Sequence, residues 1–221
     1  MTAPVLPPPL HDGDRLSRDE FMRRWEAMPH LNYAELINGV VYMASRVSNT
    51  HGSFQSLVNA WPSFYAMKTP GCDVRLNATW LMAEDGVPQP DSDLRILPQH
   101  GGQSRDEGDY PAGAPELVVE VSHTTTARDA GIKKRLYERN GVREYLIART
   151  DKQTATWFRL VEGQFKEIQP ETDGWFRSPV FPGLWLDVVA LWRRDLVGLS
   201  KAVEQGVSTP EHAEFVSRLA R

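Results

Sequence analysis

Cysteine occurs once in the 221 residues, at Cys72. A lone thiol excludes an internal disulfide framework and any cysteine-built zinc centre, and it suits a reducing compartment, so a cytoplasmic location is expected. Uncharged apolar runs of about 18 residues are lacking, which argues against a helical membrane span, and the N-terminus lacks the charged-then-apolar order of a secretory signal. No Gly-x-Ser-x-Gly elbow stands out, nor does a phosphate-binding Gly-rich loop, so a serine hydrolase and an ATP-driven enzyme are both poor readings. Positive charge is not in excess either: 25 Lys and Arg face 29 Asp and Glu. Contact with a polyanion must therefore be confined to patches.

What is present is a normal globular composition, 41% hydrophobic and 24% charged, enough for one core of domain size. Met1 to Asp14, with Pro4, Pro7, Pro8 and Pro9, reads as a disordered tail. Residues 15–195 read as the catalytic domain and 196–221 as a polar, partly helical tail, with a short helix from Glu211 to Leu219 behind Thr209-Pro210. Ser17-Arg18-Asp19-Glu20 fits a capping box that opens a helix through Met28. Asn38-Gly39 marks a tight hairpin between strands around Glu35 and Val41. Phe54, Leu57, Val58, Trp61, Phe64 and Tyr65 follow the helical period between Thr50 and Met67. The alternation of Val74, Leu76, Ala78 and Trp80 with polar residues predicts a half-exposed strand. Pro98 to Pro115 has no period and reads as a surface loop, either mobile or closing on a substrate. The seven tryptophans suit core packing first, base stacking second.

The chemistry concentrates in two apolar strands that carry acids. Pro90-Asp91 opens one, and Glu120 sits inside Leu117-Val118-Val119-Glu120-Val121. That composition predicts burial on both faces, where an unpaired carboxylate costs several kcal/mol. Glu120 must then meet a cation, gather hydrogen-bond donors or hold a proton. A divalent metal satisfies the demand, and so would a structural pair with Arg95 or Arg143. Thr126-Ala127-Arg128-Asp129 reads as a second capping box, so a helix is expected from about Ala127 to Asn140-Gly141. On it Asp129, Lys133 and Tyr137 share one face, while Ile132 and Leu136 turn to the core. The same spacing also fits a plain exposed Asp129–Lys133 pair. Residues 128–143 hold six basic side chains (Arg128, Lys133, Lys134, Arg135, Arg139, Arg143) against Asp129 and Glu138. His51 stands at the start of the helix expected between Thr50 and Met67, where a capping or packing role suits it.

Taken together, Tyr33-Ala34-Glu35-Leu36-Ile37-Asn38-Gly39, His51, Pro90-Asp91, Pro115 through Ser122, and Arg128-Asp129 through Lys133, Tyr137 and Tyr145 resemble the PD-(D/E)XK nucleases. Within them the pattern is similar to the Uma-two type of restriction endonuclease, over roughly residues 30 to 190. The resemblance implies an α/β (α+β) restriction-endonuclease-like core, a central mixed β-sheet flanked by helices. It implies a Mg²⁺-dependent endonuclease (Mn²⁺ as substitute) that hydrolyses phosphodiester bonds in DNA, with a homodimer as a further expectation. Asp91 and Glu120 would be metal ligands together with the Val121 carbonyl, Lys133 the catalytic lysine, Glu35 an additional acid and Tyr137 a neighbouring hydrogen-bonding group. Three departures accompany it: Ser122 stands where the superfamily usually has its lysine, Val40 where the family often has a glutamate, and Ala34 is inserted between Tyr33 and Glu35. Lys134, about 100° further round the helix, is the rival for the lysine role. A catalytically inactive nuclease-fold protein that binds nucleic acid or serves in assembly is the alternative.

Overall fold

The computed structural model describes residues 6–43, 48–123 and 128–221. Ser17 accepts a hydrogen bond from the Glu20 N–H and starts α1 (Arg18–Glu26), as its capping box requires. Strands β1 (Ala34–Ile37) and β2 (Val40–Met43) turn on Asn38 and Gly39, both at positive φ, the geometry that makes Asn-Gly the favoured hairpin pair. Ser48 caps α2 (Asn49–Ala66), whose apolar face buries Phe54, Leu57, Val58, Trp61 and Tyr65. Then follow β3 (Cys72–Arg75), β4 (Gly86–Val87), β5 (Ser92–Ile96), β6 (Arg105–Glu107), β7 (Tyr110–Ala112) and β8 (Leu117–Ser122). A helical segment over 128–139 leads to β9 (Glu144–Arg149), β10 (Thr154–Val161) and β11 (Gln164–Ile168), and β12 (Trp175–Arg177) pairs with β13 (Trp185–Asp187).

The central sheet has six strands in the order β11-β10-β9-β8-β5-β3. Only β8 and β9 run parallel, so the helix between them is a crossover lying on one face. A second sheet, β2-β1-β4, stands beside it. Strand β8 is buried on both faces. Leu117, Val119 and Val121 face the main core under α2, while Val118 joins Leu136, Tyr137, Tyr145 and Ile147 under the crossover helix. Glu120 shares the face of Val118 and Ser122, so the period of the strand points it toward that helix.

Three expectations change. The tail reading of Met1 to Asp14 fails at its inner end, because Leu10 is 3% exposed and Gly13 N–H donates to the Val41 carbonyl; Met1 to Val5 lie outside the described residues. The 196–221 segment is no loose tail. Its helices α5 (Leu196–Val207) and α6 (Pro210–Leu219), after α4 (Val188–Arg193), bury Leu199, Val203, Phe215 and Leu219 in the main core. The strand through Trp80 stops at Arg75, since Asn77 adopts a left-handed φ of 50° that no strand continues. Residues 98–115 carry a short 3₁₀ turn and the β6–β7 hairpin, which Arg95 holds through Asp106.

Candidate active site

Asp91 immediately precedes β5, and Ser92 pairs with Val119 of the antiparallel β8, so one step further along the ladder brings Asp91 opposite Glu120. Asp91 Oδ2 accepts the Val121 N–H at 2.7 Å, which ties the loop acid to the strand of the other acid. Glu35 arrives from β1, where its Oε1 accepts the Gln89 N–H at 2.8 Å. The crossover segment completes the cluster. Lys133 Nζ lies 2.6 Å from Glu120 Oε1 and 2.9 Å from Glu35 Oε1, and the Tyr137 hydroxyl donates to the same Glu120 oxygen at 2.7 Å. Asp91, Glu120, Val121, Glu35, Lys133, Asp129 and His51 line one cavity of about 210 Å³, and Tyr137 supports its floor.

The crossover segment is not a plain α-helix. Residues Arg128–Lys133 form a wide π-type turn before α3 (Lys134–Arg139) resumes normal pitch. Such turns occur where function outweighs helix economy. Here the Asp129 carbonyl accepts the Tyr145 hydroxyl at 3.0 Å. Asp129 and Lys133 are both buried, so the reading of an exposed surface pair is overturned. Thr126 and Ala127, the expected cap and first turn, lie outside the described residues. The helix ends as expected, with Asn140 as C-cap and Gly141 at φ 81°.

Lys134 lies elsewhere: its ammonium sits 4.6 Å from the Phe158 ring centroid, turned away from the acids. Arg95 and Arg143 do not pair with Glu120. Arg95 meets Asp73 and Asp106, and Arg143 donates to Gln103. Ser122 is buried at the end of β8, and the amine found beside Glu120 is that of Lys133. Val40 pairs with Ile37 and does not line the cavity, so an apolar residue there removes no acid from this pocket. His51 does face the site, with Nε2 3.4 Å from Asp91 Oδ1.

Sequence reading missed Gln55, Asn77, Gln89 and Tyr42 as parts of the pocket. Gln55 shares a face of α2 with His51, four residues away, which was the available signal. Arg128 lies 4.5 Å above the Tyr42 ring.

Among the described residues that line the pocket, four carboxyl groups (Glu35, Asp91, Glu120, Asp129) accompany two permanent cations, Arg128 and Lys133. Burial pushes the Glu120 carboxyl well above the ordinary range; Lys133 opposes this, while Asp91, Asp129 and Glu35 add to it. Burial alone would lower the Lys133 pKa, yet the surrounding carboxylates, Glu120 first, outweigh it and hold the amine protonated. His51 is raised chiefly by its hydrogen bond to Asp91, against its own burial. Among the described residues no three acid, histidine or cysteine side chains form a ready metal cage.

The mixed sheet carries Glu120 in one strand and Asp91 just before its neighbour, and the crossing helix brings Lys133 between Glu120 and Glu35 of the small sheet. A crystal structure described as that of "a putative nuclease belonging to DUF820", from Anabaena variabilis, matches 84% of this chain and 99% of its own, at TM-score 0.62 and 19% identity. That likeness is one of fold. The sequence profile of the Uma2 family, described as "Putative restriction endonuclease", matches residues 18–189, and the chain belongs to this family. No curated protein matches it.

Proposed function

We propose that the protein is a Mg²⁺-dependent endonuclease that hydrolyses phosphodiester bonds in DNA. The observation that carries this reading is the buried Lys133 ammonium held between Glu35 and Glu120 in the cavity that Asp91 also lines. Family membership supports it.

The donor set suits the ion. Mg²⁺ is bound by one or two carboxylates and keeps water or phosphate oxygens in its remaining positions, so Asp91 and Glu120 suffice without a three-residue cage. Glu120 Oε1 is taken by Lys133 and Tyr137, which leaves Oε2 for a cation among the described residues. The Val121 carbonyl is proposed as a further donor, on a residue that lines the cavity. When bound, the ion supplies Lewis acidity and lowers the pKa of water.

The chain's own groups do the rest. Two of the three Lys133 N–H bonds go to Glu35 and Glu120, and the third would serve the attacking water or a phosphate oxygen. Glu35 fixes the amine, and Tyr137 fixes the carboxylate that the amine touches. Arg128, stacked on Tyr42, offers a planar N–H fork to a phosphate oxygen. A reducing, cytoplasmic setting and action as a dimer belong to the same proposal; no helix among the described residues is long and apolar enough to cross a membrane.

Incubating supercoiled plasmid and single-stranded DNA with Mg²⁺, Mn²⁺ or EDTA tests the proposal. Wild type is expected to cut with either metal and not with EDTA, whereas Asp91→Asn and Glu120→Gln are expected to stay folded and inactive. Cleavage that survives EDTA, or full activity in either variant, overturns it. A linear product at the first cut, rather than a nicked circle, is the outcome expected of a dimer.

A further inference from the structure

Asp91 owes its position to more than its own strand. One of its oxygens is fixed by the backbone of β8, through the Val121 N–H. The other, Oδ1, accepts a hydrogen bond from Gln55 Nε2 at 3.0 Å. The same nitrogen donates to Asn77 Oδ1 at 2.9 Å. An ionised carboxylate only accepts, so Gln55 must present its NH₂ to Asp91, and the second N–H then requires the oxygen of Asn77. Both amide orientations follow from this chain of bonds. Asn77 is in turn held at a left-handed φ of 50°, where the chain leaves β3. His51 Nε2 also lies near this oxygen, at the longer distance of 3.4 Å.

From this arrangement we infer that Gln55 is a positioning residue for metal binding, oriented by Asn77, which aims the Asp91 carboxylate at the cation. This rests on the reading of Asp91 as a metal ligand. A neutral donor suits the task, because it fixes the carboxylate without cancelling the charge that attracts the ion. Gln55 lies on α2, Asn77 after β3 and Asp91 before β5, so three separate segments meet at one nitrogen atom, Gln55 Nε2. Partners that orient a ligand in this way typically change metal affinity about 10- to 100-fold when removed.

Calorimetric titration of the full-length protein with Mn²⁺ tests the inference in wild type, Gln55→Met, Asn77→Ala, the double variant and Asp91→Asn. Gln55→Met keeps the length of the side chain and removes its donor. It is expected to weaken Mn²⁺ binding about 10- to 100-fold and to raise the Mn²⁺ concentration for half-maximal cleavage by a similar factor. Asn77→Ala is expected to shift both in the same direction by less. The double variant should bind no more weakly than Gln55→Met alone, since Asn77 acts through Gln55. Thermal melting in EDTA reports whether each variant is folded, and Asn77→Ala carries the test if Gln55→Met is not. Unchanged Mn²⁺ affinity in the folded variants, beside tight binding by wild type and none by Asp91→Asn, overturns the positioning role and leaves the metal reading intact. No Mn²⁺ binding by wild type, or binding indifferent to Asp91→Asn, overturns both.

Discussion

Lys133 is 3% exposed and Glu120 4% exposed, so neither charge is hydrated like a surface group, and each depends on the other. Removing the amine while keeping its bulk should therefore strand the acids. Lys133→Met is expected to lower unfolding free energy by about 3–5 kcal/mol, measured by urea denaturation in EDTA. A loss under about 1 kcal/mol, the range of exposed pairs, would mean that the pair is solvated. Lys134→Ala should leave cleavage unchanged while Lys133→Ala abolishes it, because Lys134 packs on Phe158 and Phe165 and touches none of the acids. Much of this cluster was legible from the sequence. An acid within a Val-rich strand announces a partner by its desolvation cost alone, and the spacing of Lys133 and Tyr137 supplied candidates. Gln55, Asn77 and Gln89 were not legible. A neutral amide shows no charge, and its partner is chosen by a fold that joins residues far apart in the chain.

Among the elements, those with strong local signals were the readable ones. Ser17, Asn38-Gly39 and Asn140-Gly141 each mark a boundary found in the structure. The wide turn over Arg128–Lys133 was not readable, since its residues match an ordinary helical period and only tertiary contacts such as that of Tyr145 select the wider pitch. Polar composition also misled for α5 and α6. Their buried residues are few per turn, but Leu199, Val203, Phe215 and Leu219 reach the main core. Ending the chain after Asp195 should consequently prevent cooperative folding, seen as loss of a sharp thermal transition. Helix α5 also meets the turn at Gly183 backbone to backbone, where a Cβ on Gly206 would lie 2.1 Å from the Gly183 carbonyl oxygen. Gly206→Val should separate the two and destabilise the fold by about 1–3 kcal/mol or more, as overpacking does, measured by the denaturation midpoint.

At the scale of the whole molecule, buried acids outside the active site make stability depend on pH. Glu144 is fully buried, with one oxygen accepting the Ser178 hydroxyl at 2.6 Å, and burial pushes its carboxyl up to about 8 from 4.5. The folded form thus binds a proton that the unfolded form has released between those values, and stability declines as pH rises through that window, by up to about 1.4 kcal/mol for each pH unit. Melting followed from pH 5 to pH 8 should show this decline, and Glu144→Gln should make it shallower, with buried Asp93, raised to about 7, keeping its own share. The order of connections along the chain has a further consequence for how the native state opens. Tyr137 and Glu120 are 17 residues apart in sequence, within a single β-crossover-β unit, whereas the bond between Glu35 and Gln89 spans 54 residues and ties in a separate small sheet. A transient parting of that small sheet would free Glu35 alone, while the ammonium kept Glu120 as its counterion. An opening confined to that small sheet would leave no bare cation in the interior.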